Sequence, residues 1–264
     1  MIFCACNIFA QNSGDIAGVI KEVKKGVLPI FCHDSTWTNQ VYQSGTCIAL
    51  GEINKMCFLT CEHVVAIKDS ARKIKRNISD FYVQVNNDND STFEMVKLKL
   101  IYTDEKKDFA LLVVDENQKM KAMPYIHALR PTLWRDTKDL NEGETVLYMG
   151  YPVLLGREKA NHSFSKLSII SQLVHGQSSF LIDGFVQQRH SGSPVFLLEK
   201  DNTTPSHWNY SLIGIAASFP SPFGYVYESV NTDELQYKNN LLNPGFTNVI
   251  GLDDIKPVLK KFGF

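Results

Sequence analysis

No stretch of this 264-residue chain approaches the ~20 consecutive apolar residues that a membrane-spanning helix needs, so the sequence signature of a span is missing. Neither sign of charge is in excess. The 27 Lys and Arg against 28 Asp and Glu leave a formal net charge of −1 and a pI near 6.6. That gives no electrostatic reason to expect nucleic acid or an anionic membrane as the main partner. Cysteine is absent beyond Cys61, and no C-x-x-C pair or Cys/His cluster presents a zinc-ligand spacing, so neither metal nor cofactor is expected. There are no internal repeats and no low-complexity segments. What is present suits a packed core. Hydrophobic residues make up 44% and aromatics 11% of a chain long enough for one large all-β unit or two small domains.

Most of the chain reads as short strands. Residues 15–25 carry apolar positions at helical spacing and then basic residues, which predicts a short helix. Strand candidates follow at 28–32, 41–50, 56–61, 81–86, 94–102 and 109–114. They are rich in Val, Ile, Phe and Leu and bounded by Asn, Asp or Gly. Residues 115–144 hold Pro124, Pro131 and a charged run and read as a crossing. Strand signals resume at 145–150, 166–174, 178–183, 194–198, 211–218 and 246–250. The last segment, 253–262, predicts a helix limited by Pro257, with an acidic first turn and a basic last turn that suit its dipole. The basic stretch Lys68 to Arg76 reads as a solvated loop or helix face.

Three segments carry chemistry. T-C-E-H-V-V at 60–65 puts His63 at the end of an apolar strand, and D-F-A-L-L at 108–112 puts Asp108 at the start of another. H-S-G-S-P-V at 190–195 puts Ser191 in a Gly-containing turn before a third. A nucleophile, a base and a carboxylate that orients the base are what serine acyl transfer requires. Asp108 differs from Asp104 and Asp115 in the uninterrupted apolar run F-A-L-L-V-V that follows it. Ser193 is a rival nucleophile in the same turn. The G-x-S-x-G elbow of esterases does not fit, because Arg189 and Ser193 stand at both Gly positions.

These segments resemble those of the trypsin/chymotrypsin-like serine peptidases, and within them the compact HtrA-like branch without a PDZ domain. The counterparts there read T-A-A-H, D-I-A-L-L and G-[DN]-S-G-G-P. The order His, Asp, Ser is the chymotrypsin order, and the likeness extends through L-I-G-I-A-A-S at 212–218 and N-P-G-F-T-N-V at 243–249. The resemblance implies an all-β fold of two six-stranded antiparallel β-barrels. The first, 28–120, would hold His63 and Asp108. The second, 145–264, would hold Ser191 and the C-terminal helix. A helical segment at 11–27 precedes them, and a crossing at 121–144 lies between them. The implied activity is endopeptidase cleavage of a protein or peptide through a buried Asp108, with Ser191 preferred because the family's serine is followed by Gly, a small residue and Pro. The implied oxyanion donors are the backbone N–H groups of Arg189 and Ser191. The implied pocket is walled by Phe185, Ala217, Ser218, Phe219 and Gly245 and suits a medium apolar side chain, with no Asp at its base as in trypsin unless Asp183 swings in.

Arg189 departs from the family pattern, which has Gly there because the turn favours a backbone Gly adopts most easily. An Arg could leave the oxyanion hole unformed at rest. Two further readings therefore stand beside the peptidase: a protease-like fold kept for binding, and a hydrolase of non-peptide esters or amides. Residues 1–10 are apolar and uncharged and end in Ala10. They read either as the end of a signal peptide, which would carry Cys4 and Cys6 away and imply a secreted or periplasmic enzyme, or as a short strand of a cytoplasmic one. Cys47 and Cys57 flank a turn and are placed either as a hairpin disulfide or as buried thiols, the second being preferred.

Overall fold

Runs of β-branched and aromatic residues pair here into antiparallel ladders that close on themselves twice. The computed structural model describes residues 15–34, 40–52, 55–66, 68–69, 74–75, 80–86, 93–116, 125–152, 163–174, 176–185, 187, 189–204, 206–218 and 245–264. Helix α1 (Ile16–Lys24) leads into β1 (Val27–Asp34), β2 (Gln40–Glu52) and β3 (Lys55–Thr60). The single-turn α2 (Glu62–Val65) and the two-residue strands β4 (Lys68–Asp69) and β5 (Ile74–Lys75) come next, then β6 (Asp80–Asn86), β7 (Phe93–Asp104) and β8 (Phe109–Val114). The second half holds β9 (Thr145–Gly150), β10 (Phe164–Leu173), β11 (Ser179–Asp183), β12 (Ser193–Lys200), β13 (Trp208–Ser218), β14 (Phe246–Gly251) and α3 (Leu252–Phe262). One closed barrel runs β1-β2-β3-β8-β7-β6 and the other β10-β11-β14-β13-β12-β9. The two six-stranded barrels expected from the sequence are therefore present, and β4 and β5 turn the stretch read as a loop or helix face into a small ladder.

Period-2 geometry explains why several strands lack polar alternation. On β9 and β12, Val146, Tyr148, Val195 and Leu197 fill the interior of the second barrel. Their neighbours Leu147, Met149, Phe196 and Leu198 point the other way, into an apolar cluster that continues through the first barrel. A strand buried on both faces reads as a continuous apolar run. The seam between barrels is thus part of the core.

The crossing laces the barrels together through its backbone. Leu129 N–H donates to Ala49 O (2.9 Å), and Arg135 N–H donates to Leu212 O (2.9 Å). Helix α1 starts at Asp15, whose carboxylate accepts Gly18 N–H (2.8 Å), and buries Val19 and Val23. Its Glu22 accepts from the Tyr210 hydroxyl on β13 (2.8 Å), so the helix also reaches the second barrel. Helix α3 runs through Pro257 and ends at Gly263 (φ +79°), whose N–H donates to Lys260 O (3.0 Å) while that of Phe264 donates to Leu259 O (2.9 Å). Its acidic first turn makes specific ties. Asp253 accepts Thr137 N–H (2.8 Å), and Asp254 accepts the Lys107 ammonium (2.6 Å) at the turn just before Asp108.

Cys32, Cys47, Cys57 and Cys61 are all buried and free. The hairpin register rules out a Cys47–Cys57 bridge, because Cys57 faces Leu50 on β2 while Cys47 faces Leu28 on β1. Cys4, Cys6, the whole of residues 1–10 and the 219–243 loop lie outside the described residues. The melting temperature of the protein is expected to be the same with and without a thiol reductant. A drop on reduction would show a disulfide stabilising the fold.

Candidate active site

The end of β3 turns into α2 at Cys61, which carries His63 onto the surface beside the first residue before β8. There Asp108 takes φ +55°, a left-handed conformation that Asp tolerates better than most residues. Its carboxylate does two jobs. Oδ1 accepts the His63 backbone N–H (3.0 Å), and the His63 ring Nδ1 lies 2.9 Å from Oδ1 and 2.8 Å from Oδ2. A carboxylate on that side places the proton on Nδ1 and leaves Nε2 as the ring's lone-pair nitrogen. The pair is half-buried, with side-chain exposures of 44% for His63 and 32% for Asp108, so the expectation of a buried Asp108 is corrected. The carboxylate sits at the barrel mouth because the β7–β8 turn that holds it is a surface turn.

Ser191 arrives from the second barrel on the loop before β12. Two backbone hydrogen bonds shape that loop: His190 N–H to Gln187 O (3.1 Å) and Ser193 N–H to His190 O (2.8 Å). A third, from Gly192 N–H to Ala216 O (2.8 Å), ties it to β13. The first barrel seats the loop through Thr46. Its N–H donates to Ser191 O (2.9 Å), and its hydroxyl donates to Arg189 O (3.0 Å) and accepts Tyr151 N–H (3.0 Å). The approach is so close that a Cβ on Gly192 (φ +85°) would lie 2.0 Å from Thr46 O and 2.4 Å from the Thr60 hydroxyl.

The Ser191 hydroxyl donates to Ala217 O (3.0 Å), and no hydrogen bond joins it to His63. The Ser191 backbone N–H has no acceptor among the described residues. Arg189 holds φ +72°, so the turn keeps a left-handed bend despite the side chain. For a non-Gly residue that bend costs about 1 kcal/mol. Ser193, the rival nucleophile, is fully buried with its hydroxyl against Gly150, where a Cβ would lie only 1.9 Å away.

The pocket residues are brought together in part. Gly184 N–H donates to Gly245 O (2.8 Å), which sets the half-exposed Phe185 beside Gly245. Ala217 is buried and Ser218 exposed at the end of β13. Asp183 is exposed at the end of β11, and Phe219 lies outside the described residues. Sequence reasoning missed Lys166 and Tyr148, whose ammonium (2.9 Å) and hydroxyl (3.3 Å) both donate to Phe185 O. It also missed Thr46, whose partner is 143 residues away. Beyond Asp108 a groove of about 470 Å³ is lined by Lys106, Ser179, Ser218 and Asn248.

The trypsin-like peptidase domain model matches residues 43–202, a span that holds His63, Asp108 and Ser191. The chain belongs to the trypsin-like peptidase family. A search of curated proteins gives no match. Among solved structures, the HtrA-type protease AlgW with a decapeptide is similar, at TM-score 0.57 and 14% identity over 92% of this chain and 66% of that one. A serine-to-alanine variant of AlgW with a tripeptide gives TM-score 0.57 and 15% identity over 93% of this chain and 62% of that one. The chain thus spans just under two thirds of those structures, which share its fold.

His190, next to Ser191, is fully buried, and neither ring nitrogen has a hydrogen-bond partner among the described residues. Burial, with the Lys166 charge second, pushes its pKa down to about 4. Between about 4 and the ordinary His value near 6.5, the unfolded chain binds a proton that the native state refuses, so stability falls as pH drops through that window. The full shift corresponds to roughly 3 kcal/mol. His190→Leu is expected to flatten this part of the acid limb in urea unfolding measured from pH 7 to pH 4. A limb as steep as in the unsubstituted protein would remove His190 as its source.

Proposed function

We propose that the protein is a serine endopeptidase acting through His63, Asp108 and Ser191. The observation that carries the reading is the His63–Asp108 pair at 2.8 Å beside a serine loop that the opposite barrel seats through Thr46. The Ser191 hydroxyl leaves Ala217 O by rotating about χ1, and His63 Nε2 takes its proton as Oγ attacks the peptide carbonyl. Asp108 stabilises the imidazolium, which then protonates the leaving amine. Water, deprotonated by the same nitrogen, hydrolyses the acyl-enzyme. The oxyanion is held by the N–H groups of Ser191 and Arg189, each worth ~3–4 kcal/mol in the transition state. The peptides bound in the AlgW structures support a peptide substrate. An apolar side chain fits beside Phe185 and Ala217.

The resting bond from Ser191 to Ala217 O favours one competing reading, a peptidase-like fold that binds without cleaving. A fluorophosphonate probe separates the two. Labelling is expected, lost in Ser191→Ala and retained in Ser193→Ala. A folded protein that does not label would support the binding reading, and labelling without peptide cleavage would point to a non-peptide ester or amide.

Arg189 bears on the oxyanion hole. A strain of about 1 kcal/mol depopulates the left-handed turn relative to Gly by up to about fivefold. Arg189→Gly is expected to raise basal kcat on a peptide substrate by up to that factor, with KM little changed. Equal or lower turnover would show that the Arg does not limit the turn.

A further inference from the structure

The innermost neighbour of the His63–Asp108 pair is a thiol that acyl transfer does not use. Cys61 lies two residues before His63, is fully buried, and donates weakly to Ala216 O (3.4 Å). The Cys61 sulfur, a His63 ring nitrogen and an Asp108 carboxylate oxygen all lie within 4.8 Å of one another, so a soft base, a borderline base and a hard anion converge on one point. Tetrahedral zinc holds S at ~2.3 Å, imidazole N at ~2.0 Å and carboxylate O at ~2.0 Å. Those bond lengths put the ligand atoms roughly 3.3–3.6 Å apart. His63 Nδ1 and the Asp108 oxygens, now at 2.8–2.9 Å, need to part by only a fraction of an ångström, and the sulfur, within 4.8 Å of both, needs to approach by at most about 1.5 Å. The partial exposure of His63 and Asp108 leaves an entry from solvent.

We propose that Cys61, His63 and Asp108 form an inhibitory site for a thiophilic divalent cation such as Zn²⁺ or Cd²⁺, with water as the fourth ligand. Charge favours it. Burial and the Asp108 charge both resist a bare Cys61 thiolate, while the Gly192 N–H beside the sulfur favours it. A dication between thiolate and carboxylate removes the repulsion and leaves the three-ligand set neutral. The proton balance is simple. The thiol gives its proton to solvent, and the His63 proton moves from Nδ1 to Nε2 as Nδ1 binds the metal. One proton is released per ion, and Nε2 becomes an N–H that can no longer act as a base. The cation therefore also takes Asp108 away from the imidazole.

The site does not depend on Ser191, and only its inhibitory consequence rests on the serine peptidase reading. Full-length Ser191→Ala protein, with Cys4→Ser and Cys6→Ser in every variant so that these two thiols cannot bind the ion, is expected to develop ultraviolet thiolate-to-metal charge-transfer absorbance when titrated with Cd²⁺, saturating at one ion per chain. The same titration of Ser191→Ala/Cys61→Ala and Ser191→Ala/Cys61→Ser is expected to lack it. These two replacements stress the fold in opposite ways, one leaving a cavity and the other a buried hydroxyl, and both keep Cys32, Cys47 and Cys57 as internal controls. In the Ser191-containing protein, Cd²⁺ is expected to depress peptide turnover at least ~10-fold, and in Cys61→Ala the rate with Cd²⁺ should approach that variant's own metal-free rate. Absorbance that persists without Cys61, or its absence in Ser191→Ala alone, would overturn the site. Absorbance that depends on Cys61 in a protein with no peptidase activity would keep the site and overturn the peptidase reading.

Discussion

Thr46 is the point on which the candidate site turns. One residue of the first barrel uses its N–H and its hydroxyl to hold the carbonyls of Ser191 and Arg189 on the second, and its hydroxyl also receives the N–H of Tyr151. Both backbones must come close for this to happen, and the absence of side chains on Gly45, Gly150 and Gly192 allows it. At each of these, a Cβ would overlap a neighbouring atom. Burial across the seam holds the barrels together, and the threonine fixes the register in which they meet. In that register the Ser191 loop packs against Thr46 and against Thr60, at the end of the strand that leads to His63.

Around that anchor the polar groups divide into settled and unsettled. The Asp108 carboxylate takes a backbone and a ring donor from one residue, which fixes the imidazole plane as well as its tautomer. Lys107 beside it is tethered to Asp254, so the C-terminal helix braces the turn that presents the carboxylate. That ion pair is half-exposed and worth little by itself. Its contribution is to limit where the turn can go. By contrast, His190 and Ser193 have buried side-chain polar atoms with no partner among the described residues, on the same loop as Ser191. Groups left that way make a loop less stable than its packing suggests.

Much of this architecture was legible in the sequence. The six strands of each barrel announced themselves through apolar runs between turn residues, and their edges moved by only a few positions. The meeting of His63 with Asp108 was legible because each sits at a strand boundary, where a local pattern and a chemical type coincide. The hairpin register was not. Cys47 and Cys57 flank a turn symmetrically enough to invite pairing, but the register sets Cys57 against Leu50. Long-range partners were invisible for a related reason. Thr46 is an ordinary strand threonine until a carbonyl 143 residues away arrives. The meeting of Cys61 with Asp108 is likewise a fact of packing rather than of spacing.

The backbone at Asp108 also shapes how this protein can change over time. At φ +55° the residues that sit without added strain are Gly, Asn and Asp. Glu would lengthen the carboxylate arm and strain the turn together. Asn keeps the bend, the size and the acceptor for the His63 backbone N–H while discarding the charge. The smallest step away from the present residue is therefore one that leaves the barrels intact and removes the charge that faces the His63 ring. A lineage under selection for shape alone would drift there first, so descendants that keep the fold but lose this charge should carry Asn at this position more often than any other replacement.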